Sequence, residues 1–132
     1  MFLVDSSIFV EYYRLKGSPV IRAALESAID ADLVAVNGLI QVEVLGYVSA
    51  QANFPRLLQD FKDFYWFDLQ EIDFDCATEM GHFLRRKAIT IPAVDLIIAA
   101  SAMRADAVVL HTDGHFDMMA RHFKLKSRNL LN

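Results

Sequence analysis

Short apolar runs alternate along the chain with longer stretches in which apolar residues recur every three or four positions. Residues 2–4, "FLV", have the character of a strand buried on both faces in a parallel sheet. "LVAV" at 33–36, "WFDL" at 66–69, "AVVL" at 107–110 and a short segment near 124–127 read as further strands. Between them lie helical patterns. One runs from Ser7 to Lys16 and stops at "KGSP", where Gly17 and Pro19 break it. In "SPVIRAALESAIDA", Val20, Ile21, Leu25 and Ile29 fall at helical spacing. Asn37-Gly38 reads as the exit turn of the second strand, before the helical "LIQVEVLGYVSA". In "FPRLLQDFKDFY", Leu57, Leu58, Phe61 and Phe64 share a face; "DCATEMGHFLRRKA" turns Ala77, Met80, Phe83 and Leu84 inward. Pro92 marks the start of the helix containing "DLIIAASAMRAD".

Strands alternating with helices imply β-α-β crossovers and an α/β fold: a mostly parallel sheet covered on both faces. With 132 residues and no linker, repeat or low-complexity segment, one domain over 1–132 is expected. A hydrophobic content of 55% against 23% charged residues excludes a disordered chain and leaves apolar material for a partner surface. The net charge of −4 provides no global attraction to nucleic acid, so phosphate binding has to be local. The single cysteine, Cys76, excludes an intramolecular disulfide framework and suits a small core residue. "MFLV" is too short for a targeting core, and "LIIAASAM" is too short to span a membrane, so a soluble, cytoplasmic chain is expected.

In parallel sheets, ligands gather beyond the carboxyl ends of the strands. Asp5 ends the first strand, and Asp113 follows "AVVLHT" in the same kind of position. Asp95 falls at a helix N-terminus, and Glu43 lies among Leu39, Ile40, Val42, Val44 and Leu45. Each has an ordinary role open to it: Asp5 as a helix cap, Asp95 as a partner of the helix dipole, Asp113 as a turn residue, Glu43 in an ion pair. Together, four carboxylates at one end of a sheet would repel one another unless protons or cations intervened. Oxygen-only ligands select hard ions, so Mg²⁺ or Mn²⁺ is expected over zinc, and such ions hydrolyse phosphodiesters.

"LVDSSIFVEYY", "GLIQVEVLGY", "IPAVDLIIAASA" and "VVLHTDGHFD" resemble, in order and spacing, the four signature segments of the PIN domain. The likeness runs from residue 2 to about residue 117 and is strongest to the VapC-type toxins of toxin–antitoxin pairs. "RRKAITIPAVDLIIAASA" is its most specific piece. The resemblance implies a three-layer α/β/α sandwich and Mg²⁺- or Mn²⁺-dependent cleavage of RNA, leaving a 5′-phosphate and a 3′-hydroxyl. It assigns Asp5, Glu43, Asp95 and Asp113 as catalytic metal ligands, the first three on the principal ion. Ser6 matches the hydroxyl that follows the first acid. His111 stands where many relatives have threonine or serine, leaving Thr112 as the supporting hydroxyl and Asp117 as the alternative fourth ligand. The resemblance also implies a homodimer and a cognate antitoxin that covers the acidic pocket, with Tyr12, Tyr13 and Tyr47 at or near such interfaces.

Arg85, Arg86 and Lys87 are candidates for the RNA backbone, or simply a helix C-terminus that favours cations. Arg121, Lys124, Lys126 and Arg128 form a second basic cluster. His115 is a candidate phosphate contact, with a surface turn the plainer reading, and no histidine is needed as a general base. A haloacid-dehalogenase phosphatase requires a second Asp where Ser7 stands, and a response-regulator receiver requires an acidic pair, so neither fits. Two alternatives stay open: a non-catalytic PIN-like module that binds RNA or protein, and an RNA-processing PIN nuclease that is no toxin.

Overall fold

The computed structural model describes residues 1–49 and 52–131. Along them run β1 (Phe2–Val4), α1 (Ser6–Tyr13), α2 (Pro19–Asp30), β2 (Val34–Val36), α3 (Gly38–Leu45) and α4 (Phe54–Asp63). β3 (Tyr65–Trp66), α5 (Glu71–Arg86), α6 (Ala93–Ala105), β4 (Val108–His111), α7 (Gly114–His122) and β5 (Ser127–Asn129) follow. The strands form one sheet in the order β3-β2-β1-β4-β5, every pair parallel. α1 to α4 pack among themselves, as do α5 to α7, and the sheet is the middle layer of an α/β/α sandwich.

The strand order reverses between β1 and β4, which lie side by side with Val4 opposite Leu110. Such a reversal opens a crevice at the carboxyl ends of the two strands, because their following helices leave toward opposite sides. Leu3, Val4, Ala35, Val36, Val109 and Leu110 are buried, as expected of strands met by helices on both faces.

α6 is enclosed nearly all round: Leu96, Ile98, Ala99, Ala100, Ser101 and Ala102 are buried. Its partner α5 approaches closely at Gly81, where a Cβ would stand 2.9 Å from Leu96 Cδ1. At one end of this pair Arg104 Nε donates to Asp73 Oδ1 at 2.7 Å, and Nη2 donates to Asp73 Oδ2 at 3.0 Å and to the Asp68 carbonyl at 2.9 Å. The clamp joins the end of α6 to the start of α5, so the two run antiparallel. At the other end the chain reverses through Ala88, at φ 61°, with Ile89 N–H donating to the Leu84 carbonyl. The basic end of α5 is thereby set beside the start of α6.

Several elements differ from the sequence expectation. α1 stops at Tyr13 rather than Lys16: Glu11 Oε1 accepts from Ser18 N–H at 2.8 Å, folding the chain back. Gly17 lies so close to the Glu11 carbonyl that a Cβ there would meet it at 2.0 Å. Asn37 is no exit turn but the cap of α3, its Oδ1 accepting from Ile40 N–H. α3 ends at Leu45, and position 50 of the expected helix lies outside the described residues. β3 covers only 65–66, because after Phe67 bonds Val36 the Asp68 carbonyl goes to Arg104 instead of a neighbouring strand. β5 sits at 127–129, not 124–127, in register with Val109 to His111. α7 is an element that the apolar pattern did not announce. Val20 and Phe83, expected inward, are 66% and 41% exposed; Phe83 lies instead against Phe123 on the surface. Cys76 is half-buried, with its thiol 3.7 Å from Met80 Sδ. Among the described residues no helix is long and apolar enough to cross a membrane.

Asp73 is 1% exposed and depends on Arg104 for its charge partner. Arg104→Met should lower the unfolding free energy by about 2 kcal/mol, less than for a wholly enclosed pair because the guanidinium is partly solvated. Denaturant titration of both proteins measures this.

Candidate metal centre

Asp5 is fixed on both sides of its peptide. Its N–H donates to the Leu110 carbonyl at 2.9 Å, tying it to β4. Its side chain caps α1, Oδ2 accepting from Ser7 N–H at 3.2 Å and from the Ser7 hydroxyl at 2.7 Å. That hydroxyl accepts in turn from Thr112 N–H at 3.1 Å, so Ser7 joins the ends of β1 and β4. Asp113 caps α7, its Oδ1 accepting from His115 N–H at 2.9 Å. Asp95 stands in the first turn of α6, and Glu43 in the second turn of α3.

The four acids lie close enough to repel one another. The ligand atoms within 4.8 Å of one another among the described residues, however, belong to Asp95, Asp113 and His115, a group that leaves out Asp5 and Glu43. The Asp5 carboxyl is pushed above the ordinary carboxylate range by burial, with repulsion from Asp113 adding to it and bonds from Ser7 and Ser6 opposing it. Glu43 is raised by burial and by Asp5, Asp95 and Asp113, against a bond from the Ser6 hydroxyl. Asp95 is pushed up to about 6 by burial, with Asp113 and Asp5 adding repulsion and His115 opposing it. Every pair among the four carboxylates therefore repels. Glu43 Oε1 is buried and has no hydrogen-bond partner among the described residues. A buried, unpaired carboxylate oxygen amid like charges is the environment a cation relieves.

His111 is fully buried, and its Nδ1 accepts from Asp113 N–H at 3.1 Å. The ring proton is thus on Nε2, 3.8 Å from Asp117 Oδ1, and burial holds the pKa of the imidazole low. Asp117 itself accepts from Asn129 Nδ2 at 2.8 Å, whereas Asp113 shares a group of close ligand atoms with Asp95 and His115. His115 is not a free surface turn: its Nδ1 lies 2.9 Å from Asp95 Oδ2 and 3.2 Å from Asp113 Oδ1. Thr112 supports the site through its backbone N–H.

Arg85, Arg86 and Lys87 are exposed at the end of α5, beside the start of α6 that carries Asp95. A groove of about 310 Å³ runs from Glu43 past Val10, Tyr13, Val44, Tyr47, Val48 and Leu57, with Tyr47 82% exposed.

Sequence reasoning placed the hydroxyl support on Ser6 and missed Ser7. Ser6 serves Glu43, and Ser7 serves Asp5. The available signal was "DSS" itself, since a capping Asp bonds the residues two and three further on. The His115 contact had no comparable signal, because it depends on how α7 leaves the sheet.

The PIN domain model matches residues 2–122. The chain belongs to the PIN domain family. The VapC ribonuclease Mb1587 of Mycobacterium bovis is 31% identical to this PIN domain over 134 aligned residues, covering 96% of this chain and 97% of its own. Ribonuclease VapC11 of Mycobacterium tuberculosis matches with the same identity and coverage. The crystal structure of FitAcB from Neisseria gonorrhoeae superposes with a TM-score of 0.80 at 18% identity, over 100% of this chain and 99% of that one. VapBC2 of Rickettsia felis, bound to a DNA fragment from its promoter, gives 0.76 at 18% identity, covering 97% of each chain. These structural likenesses establish the same PIN fold.

Asp95 binds its proton more tightly in the folded than in the unfolded chain. Without divalent ions the PIN domain should therefore lose stability as pH rises from about 4 to about 6, Asp95 contributing at most about 3 kcal/mol of the loss. Asp95→Asn should make that slope shallower and raise the melting temperature at pH 7 in EDTA. Thermal melts across this pH range measure both.

Proposed function

We propose that this protein is a metal-dependent endoribonuclease acting as the toxin of a toxin–antitoxin pair, one PIN domain over residues 1–132. The observation that carries the reading is the convergence of four mutually repelling carboxylates, with the orphaned Glu43 Oε1 among them, where the strand order reverses. The names of its relatives in Mycobacterium supply the activity class.

The donor set fits a hard dication, Mg²⁺ or Mn²⁺. Asp5, Glu43 and Asp95 are the ligands proposed for the principal ion, and Asp113 for a second or water-bridged position. When bound, such an ion offsets the charge, engages phosphate oxygens and lowers the pKa of water for attack on the phosphodiester.

The remaining work belongs to the chain. Ser7, held by the Thr112 N–H, fixes the rotamer of Asp5, and Ser6 does the same for Glu43. Their hydroxyls donate to the carboxylates and so favour the ionised form that binds metal. Asp95 sheds its proton near pH 6, which makes the site competent at neutral pH. Arg85, Arg86 and Lys87 supply positive charge for the RNA backbone on the same edge as Asp95. A cognate antitoxin, a homodimer and a cytoplasmic location complete the proposal. The apolar groove beside Glu43 and the exposed Tyr47 are the surface that supports a protein partner.

The test is cleavage of a mixed RNA pool with Mg²⁺ or Mn²⁺, against EDTA and against Asp5→Asn and Glu43→Gln. Cleavage with 5′-phosphate ends is expected from the unaltered chain alone, at rates at least about 100-fold above either variant. Ser7→Ala should keep the fold and lose roughly tenfold in rate, as an outer hydrogen bond to a ligand does. An intact pool under every condition would favour the non-catalytic binding module.

A further inference from the structure

His115 is used by none of the steps above, yet both its backbone and its ring contact the acids. Its backbone N–H is bound by Asp113 Oδ1 at the start of α7, which fixes where the ring leaves the helix. The ring then places Nδ1 at 2.9 Å from Asp95 Oδ2 and 3.2 Å from Asp113 Oδ1. One ligand atom from each of the three residues lies within 4.8 Å of the other two. Neighbouring donors on an octahedral ion with bonds of 2.0–2.1 Å are about 3 Å apart. The two spacings from His115 Nδ1 match adjacent corners around one dication, and the two carboxylates lie within 4.8 Å of each other; a metal there would replace the hydrogen bond that Nδ1 now makes with Asp95. His111 cannot take this part, because the Asp113 N–H occupies its Nδ1 lone pair.

On the proposed reading of the site as a metal-dependent nuclease, we infer that His115 is a direct nitrogen ligand, forming with Asp95 and Asp113 a metal position that selects Mn²⁺ over Mg²⁺. Mg²⁺ keeps to oxygen donors and gives up water reluctantly, and first-row transition ions accept imidazole. Replacing one oxygen corner with nitrogen therefore weakens Mg²⁺ more than Mn²⁺. Four carboxylates alone would carry no such preference. The metal choice of this chain rests on one side chain of α7.

The experiment uses the full chain and the metals alone. Free Mn²⁺ is followed by electron paramagnetic resonance during titration, Mg²⁺ affinity is obtained by competition, and the bound Mn²⁺ is examined by pulsed resonance for coupling to an imidazole nitrogen. The unaltered chain should show the nitrogen coupling, and His115→Asn should lose it. The variant should lose about tenfold or more in Mn²⁺ affinity but less than about threefold in Mg²⁺ affinity. Bound Mn²⁺ without nitrogen coupling in the unaltered chain overturns the assignment, whatever the variant does, and leaves the nuclease reading standing. Equal losses for both ions overturn it in the same way. Failure of the unaltered chain to bind either ion removes the nuclease reading and this inference with it.

Discussion

Like charges brought into one crevice cost free energy at every pair, and the architecture around this crevice is best understood through that cost. Asp5 and Asp113 follow adjacent central strands, Asp95 opens a buried helix, and Glu43 comes from a helix on another segment of the chain. Three of the four sit at helix N-termini, where the dipole favours a negative charge. The compensation is incomplete: Asp5, Glu43 and Asp95 all remain above the ordinary carboxylate range, burial being the main cause. Hydroxyl donors from Ser6 and Ser7 offset part of the remainder. A fold that holds such a cluster does so because rigid mounts prevent the carboxylates from turning away from one another.

Those mounts are ordinary packing elements. α6 is buried nearly all round and lined with small residues, so it can lie against α5 at Gly81 and bring Asp95 to the crevice. The Arg104–Asp73 clamp works at the far end of the same helix pair and fixes its register along the axis. Ser7 ties the exits of β1 and β4 together through one hydroxyl. Stability and chemistry therefore oppose each other at Asp95, where the charge needed for metal is the charge the fold would rather neutralise.

Much of this could be read from the sequence, for identifiable reasons. Strands buried on both faces are continuous apolar runs, so "FLV" and "AVVL" stood out, and an acid directly after the first and three residues after the second marked the edge where ligands bind. Glu43 showed itself because a carboxylate within an apolar helix has few ordinary uses. What was illegible depended on contacts distant in sequence. β3 ends early because Arg104, 36 residues away, takes the Asp68 carbonyl. β5 is placed by its register with β4 and not by its own residues. Phe83 and Val20 kept helical spacing yet face outward, since periodicity gives a helix face without saying what covers it. Ser7 and His115 belong to the site through the geometry of two chain ends meeting, which no local pattern encodes.

If the raised carboxyls and the metal compete for the same charge, binding must drive protons off the protein. Calorimetric titration of Mn²⁺ into the full chain at pH 5.5, repeated in buffers of different ionisation heat, counts those protons directly. The account predicts net release of protons on binding, and less of it in Asp95→Asn. Binding that releases none, or no binding at all, would contradict it.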